Sequence, residues 1–438
     1  QVLLPTAFLV ALWVGWAFEA ARTGRAGGWT GLVAAVRATA RRHRAAWSVG
    51  LLLLALATAS TLASPSIRDS GPVWLHGVVE PMAFGLLVLA LGPDLRRLAL
   101  LALALGLSAA LGGLINLGQT LPTVGSLLDL QGHARELFSR LTYFNVGLFG
   151  EILAMAIPLL VGALAGWRAL RLGRVAVVVV TAGLAIALIC LYLTFSKSGW
   201  LAAGVAVLVL LVALAPSIRW RVAFVAGAVA ISVLAVPWPL VVLRPVAPSL
   251  ADAYRGIVVA VQGEARAASW DPATAAGETS ITERLFATRA ALSMAVDHPL
   301  LGVGLNRFGT EYAGAYRPPD ATAELDSAHD LLPNLAAELG LPAALLTAFA
   351  MAAGLWCCWR VWHRPSADGL ARTLAASLGA ALVGWWIVSA TFDPDLYRAW
   401  RLMASDVVMA AVLVAMAAAL VPAVLPSGVD GQPGRRDR

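Results

Sequence analysis

Long apolar runs separated by short basic connections dominate the chain. Reading each run of about 17–25 residues as one bilayer crossing predicts about eleven helical spans. They are Val2–Phe18, Trp47–Ala63, Val73–Gly92, Leu98–Leu117, Leu141–Ala165, Val175–Leu193, Trp200–Ala215, Val222–Val242, Gly340–Trp359, Leu374–Phe392 and Leu402–Val424. The short alternating strands of a membrane barrel are absent from the pattern. One region breaks the rhythm. From about residue 243 to 330 the chain turns polar, with arginines, carboxylates, prolines and glycines. Ordinary connections run about 4–6 residues, so this insert is expected to fold on the membrane surface. Leu250–Ala268 is expected to be one helix and Trp270–Thr279 a linker. Ser280 and Glu283 have the spacing of a capping box, opening a second helix over Ile281–Val296, which Pro299, Gly302 and Gly304 end in a tight turn. The organisation predicted is therefore residues 1–242 as N-terminal spans, 243–330 as the helical loop, 331–425 as C-terminal spans and 426–438 as a polar tail.

Composition agrees. The chain is 60% hydrophobic and 13% charged, where soluble domains are about a quarter charged. This defines an all-α polytopic membrane protein in contact with membrane lipids. Charge orients it. Taking alternate loops as cytoplasmic places 19 of the 32 basic residues there, nearly all in short connections. The long loop carries seven arginines balanced by ten acids. The positive-inside rule thus puts the long loop outside and the tail inside. The net charge of +7 belongs to topology and gives no reason to expect a nucleic-acid partner. Cys190, Cys357 and Cys358 lie in or beside apolar runs, as packing cysteines do. Gln1 is not an initiator methionine, so a further span is expected upstream, for about twelve.

The polar residues that carry chemistry gather near the loop. Arg284 and Arg289 stand in the second loop helix, where guanidinium groups would match phosphate oxygens. Two solvated arginines would give the same pattern. Lys197 is the chain's only lysine and sits in a polar break between two spans; it is either an interfacial cation or a third phosphate contact. His329 stands where the loop returns to the membrane, flanked by Asp326 and Asp330. Ser327 and Asp330 would make a capping box with His329 in the first helical turn; alternatively the helix starts near Pro333 and His329 lies in the turn before it. Arg140 and Asn145 would face a headgroup at the outer start of the fifth span. Glu80, Glu151 and Asp406 are intramembrane acids or close to it, and such acids are costly to place there. No metal-ligand spacing, P-loop or dinucleotide fingerprint is present.

Three elements in register resemble a known family. Asp297-His-Pro-Leu-Leu-Gly-Val-Gly-Leu-Asn-Arg-Phe308 is similar to the "HPLLGVGxxxF" signature of the O-antigen ligase and O-antigen polymerase family. Thr194-Phe-Ser-Lys-Ser-Gly-Trp-Leu201 resembles its "TxSRGxWL" element, and Ala328-His-Asp-Leu-Leu-Pro-Asn-Leu-Ala-Ala-Glu-Leu-Gly340 its "HNxxLxxxxExG" element. The resemblance implies a GT-C-like glycosyltransferase of about twelve helices in the bacterial cytoplasmic membrane, working at the periplasmic face. It implies transfer of a glycan from an undecaprenyl-diphosphate carrier to a lipid or glycan acceptor, with no metal and no other cofactor. A polymerase, a protein O-oligosaccharyltransferase and, in a different class, a lipid-linked sugar transporter are the alternatives. By resemblance His329 is the catalytic histidine and Arg284 the arginine of the loop helix, with Arg289 the second choice. Lys197 replaces an arginine, Asp330 replaces the usual amide or serine, and Ala343 stands where a small or polar residue is usual.

Overall fold

The computed structural model describes residues 37–38, 40–91, 94–120, 146–194, 196–235, 272–319, 321, 324–391 and 405–424. Among these every regular element is helical. The first is α1 (Arg44–Ala63), and α2 (Ile67–Trp74) runs through a π-helical turn (Leu75–Val79) into α3 (Glu80–Leu91). Then come α4 (Leu95–Thr120), α5 (Val146–Ala165), α6 (Arg174–Leu193), α7 (Lys197–Leu214) and α8 (Ile218–Ala235). The loop region supplies α9 (Pro272–Asp297), the short α10 (Phe308–Glu311) with a π turn (Tyr312–Tyr316), and α11 (Leu331–Leu339). The chain then continues through α12 (Leu341–Trp362), α13 (Gly369–Thr391) and α14 (Ser405–Val424). Six helices among the described residues are long and apolar enough to cross a membrane, and three shorter apolar helices accompany them. Ten of the predicted spans coincide with helices; Val2–Phe18 lies outside the described residues. The protein is an all-α polytopic membrane protein.

The bundle is built around α5. Residues 149–160 of this helix are buried on every side, as expected for a helix apolar all round. It packs against α13, α7, α4 and α6. Small residues let the helices approach closely: Gly162 abuts Ser377 of α13, Gly106 of α4 abuts Leu160, and Gly384 of α13 abuts the Ala154 carbonyl. The periphery is apolar, with Val175, Val178 and Ile189 of α6 exposed as a lipid-facing surface would be. Glu80 is buried beside His76, whose Nδ1 lies 3.1 Å from Glu80 Oε2 across the π turn. An acid at that depth is partnered, as intramembrane polar groups generally are. Glu151 is buried in α5.

The two ends of the bundle differ in chemistry. Trp362 Nε1 donates to the Ala213 carbonyl at 3.2 Å, and Arg42 to that of Pro422 at 3.3 Å. With Gly166 against Thr373, these contacts gather the α5–α6, α7–α8 and α12–α13 connections at one end. That end carries Arg168, Arg171, Arg219, Arg221, Arg364 and Arg372. At the other end, Gly150 of α5 meets Ser196 before α7. There Ser60 and Ser70, at the α1–α2 corner, bond to Glu338 and Leu305 of the loop region.

One expectation about the loop is corrected and one alternative is decided. Its helix α9 starts at Pro272, not Ser280, so most of the stretch read as a linker is helical. Proline is well suited to a first helical position, and the alanines and glutamate that follow continue a helix readily. Of the two readings of His329, the structure agrees with the one that puts it in the turn before the helix and not in its first turn. Helix α11 begins at Leu331 with Asp330 as its N-cap residue, and no side chain caps it. The expected helix Leu250–Ala268 lies outside the described residues.

Candidate functional site

The loop region is clamped to itself before it presents any reactive group. The turn after α9 runs alongside α11, with Val303 N donating to the Ala337 carbonyl at 2.8 Å and Gly304 N to that of Glu338 at 3.2 Å. Leu341 N returns a bond to the Pro299 carbonyl at 2.9 Å. Two glycines permit this approach. Gly302 (φ +65°) and Gly340 (φ +87°) are left-handed, and a Cβ on either would strike backbone, of Ala337 and Glu338 in one case and of Leu300 in the other. Only glycine adopts such angles without steric cost. Glu338 is fully buried. Its carboxylate accepts from Asn306 N at 2.9 Å and Phe308 N at 2.8 Å, satisfying the amides of a turn in which Asn306 is itself left-handed (φ +61°). Ser60 Oγ donates to the Glu338 carbonyl at 2.7 Å and Ser70 Oγ to that of Leu305 at 2.6 Å. The glycines and the glutamate of the two loop motifs are thus the clamp.

His329 stands on this frame. Its backbone is left-handed (φ +58°), a conformation that costs a non-glycine residue about 1–3 kcal/mol and often marks function. Both neighbours are fastened. Ala328 N donates to Asn334 Oδ1 at 2.9 Å, and Asp330 Oδ2 accepts from Thr288 Oγ1 at 2.8 Å. Thr288 belongs to α9, so this bond ties the histidine turn to the loop helix. Arg284 lies four residues earlier, on the same helical face. It is partly buried, like His329.

Asp330 joins the three groups. Burial pushes its carboxyl above the usual range, while the Thr288 hydroxyl, His329 and Arg284 pull it back down. His329 and Arg284 therefore lie within electrostatic reach of one carboxylate. An imidazole and a guanidinium thus both act on the one carboxylate. This arrangement can offer a proton acceptor and a fixed cation to a ligand bound between α9 and the histidine turn.

The remaining candidates are placed differently. Lys197 opens α7. The polar break around it is ordered by Ser196, whose Oγ accepts from Gly199 N at 3.1 Å, and by Trp200 Nε1, which donates to the Leu191 carbonyl at 2.7 Å. Lys197 is thus at the loop end of the bundle; its side chain lies outside the described residues. Arg289 is exposed, about 100° around the helix from Thr288. Asp326 is exposed and packs against Gly309. Arg140 and Asn145 lie outside the described residues. Among the described residues no three His, Cys, Asp or Glu side chains group as a metal site would need.

Residues 182–348 match the model of a family described as O-antigen ligase. Over this segment the chain is similar to the O-antigen ligase family. The O-antigen ligase match runs from α6 into the first turns of α12, so it contains Lys197, the whole clamp, Arg284 and His329. That similarity supports an enzyme of the ligase or polymerase type. No curated protein matches the chain. Sequence reasoning missed Thr288, Asn334 and Glu338 as working parts. The last two stand inside the histidine motif, four residues apart, and that helical spacing was the available signal. Nothing in the sequence pairs Thr288 with Asp330.

Proposed function

We propose that this enzyme moves a glycan from an undecaprenyl-diphosphate carrier to an acceptor hydroxyl at the outer face of the bacterial cytoplasmic membrane. The observation that supports this reading best is the shared carboxylate: Asp330 is within electrostatic reach of both His329 and Arg284. A base and a cation so placed suit a displacement in which charge develops on a leaving diphosphate. The bond from the anomeric carbon to the phosphate oxygen breaks, and a bond from that carbon to the acceptor oxygen forms. His329 takes the hydroxyl proton, a role an imidazole fills near neutral pH. Arg284 and Lys197 hold the diphosphate as its negative charge grows, which is where fixed cations help most. Asp330 then balances the imidazolium. The arginine-rich end of the bundle faces the cytoplasm by the positive-inside rule, leaving the loop on the periplasmic side with the acceptor.

The acceptor is a lipid or glycan hydroxyl, in keeping with a ligase. The test is transfer in proteoliposomes containing an undecaprenyl-diphosphate-linked glycan, read by mass spectrometry of the acceptor pool. Mass growth of a lipid or glycan acceptor with release of undecaprenyl diphosphate is expected. Glycan crossing the bilayer with the diphosphate bond intact would instead make the protein a transporter.

A further inference from the structure

Helix α9 has two faces, and the clamp uses one of them. Ala287, Ala290, Ala291 and Met294 are buried against Phe308 and Tyr312. On the other side Leu285, Leu292 and Val296 are exposed, at 65%, 52% and 76%. Arg289 is exposed with them. These four positions follow the spacing i, i+4, i+7, i+11, so they form one stripe on a helix. A helix surrounded by water gains nothing from three bare aliphatic side chains on one side, and soluble surfaces rarely keep such patches without use.

The stripe does not stop at the end of α9. Leu300 in the following turn is 70% exposed. It adjoins the start of α12, where Gly340 packs on the Leu300 backbone and Leu341 N bonds to the Pro299 carbonyl. From there Leu341, Leu345 and Phe349 are exposed at i, i+4 and i+8 along α12. Helix α12 is one of the membrane-spanning helices, so that face meets lipid. Exposed apolar side chains thus recur from a lipid-facing span through Leu300 to the loop helix.

We propose that α9 is an interfacial helix, seated in the phospholipid leaflet through Leu285, Leu292 and Val296, with Arg289 among the lipid phosphates. Amphipathic helices with an apolar face and a basic residue take up this position, and a guanidinium on a long stem reaches the headgroups while its stem stays in the apolar layer. Arg289 is then a lipid contact and not part of a substrate clamp. At about 100° per residue, Arg284 points about 140° away from Arg289 around the helix, toward Thr288 and Asp330. If the proposed transfer is correct, on which this clause alone rests, the seating holds Arg284 at headgroup depth, where a donor diphosphate arriving along the leaflet would lie.

The test uses the full-length protein in nanodiscs of phosphatidylethanolamine and phosphatidylglycerol. Leu292, Val296 and, as a polar control, Glu324 are each replaced by the photoreactive p-benzoylphenylalanine. After illumination, intact mass should show a phospholipid adduct at positions 292 and 296 and none at 324. Two stripe positions guard against one variant failing to fold. No lipid adduct at either stripe site, or reaction there only with another part of this chain or with a second protein, overturns the proposal. A second arm measures lipid-linked donor binding: Arg289→Ala should stay within about two-fold of the parent while Arg284→Ala falls by about ten-fold or more. Equal losses would return Arg289 to the clamp. Failure of the parent to bind donor would count against the transfer reaction and leave the lipid-adduct result to decide the seating of α9.

Discussion

His329 is held in a backbone conformation that its own side chain disfavours (φ +58°). Glycine would occupy the same angle without that cost. His329→Gly is therefore expected to be at least as stable to heat as the parent and to lose transfer, a combination that a merely structural histidine would not give. Melting temperature and turnover on one purified variant check it. Asp330 makes a separate prediction. Burial raises its carboxyl above its ordinary 3.8, against the opposing pull of Thr288, His329 and Arg284. A carboxyl with a raised pKa holds its proton more tightly in the folded chain. It favours folding below the unfolded value, and that contribution is lost as pH rises through the folded one. Asp330→Asn keeps an acceptor for Thr288 and removes the buried charge. It should be more stable than the parent at neutral pH, with the difference disappearing as the pH falls to about 3.8. Melting curves across this range would contradict the assignment if the difference did not change with pH.

At the scale of elements, the loop works as a unit because α11 and the turn after α9 share backbone hydrogen bonds. Gly302→Ala and Gly340→Ala each put a Cβ into facing backbone at a left-handed residue. Each is expected to destabilise the clamp by more than about 1–3 kcal/mol. Hydrogen exchange should then accelerate at Val303, Gly304 and Leu341 while the amides of α5 stay protected. Unchanged exchange at those three amides would show that the clamp is not what the glycines serve. Much of this level was legible in advance. The spans follow from hydropathy because lipid imposes long apolar helices. Two of the motifs hold His329 and Lys197, and the family resemblance of the loop helix pointed to Arg284. The start of α9 was misread because Ser280 and Glu283 imitate a cap inside a helix that Pro272 already begins. The bond from Thr288 to Asp330, the buried Glu338 carboxylate and the left-handed His329 depend on contacts between segments far apart in the chain. Local spacing does not encode them.

The whole molecule separates an arginine-rich end from the loop end that carries the proposed site, and the bundle around α5 stands between the two. Impermeant thiol labelling in intact cells tests the orientation. Ser366→Cys, exposed at the α12–α13 connection, should remain unlabelled, and Glu324→Cys, exposed in the loop, should react. The native cysteines give little background, since Cys190 and Cys358 are buried and Cys357 is half-buried. Labelling at position 366 alone would invert the molecule.

The division of labour between His329 and Arg284 is tested most directly by measuring donor affinity and turnover separately on the two alanine variants. His329→Ala should bind the undecaprenyl-diphosphate-linked glycan like the parent and lose about 10²–10⁴ in turnover, the usual worth of a general base. Arg284→Ala should lose donor affinity by about ten-fold or more, as removal of a charged hydrogen-bonding partner does. Near-parental turnover in His329→Ala, or parental donor affinity in Arg284→Ala, would contradict the account.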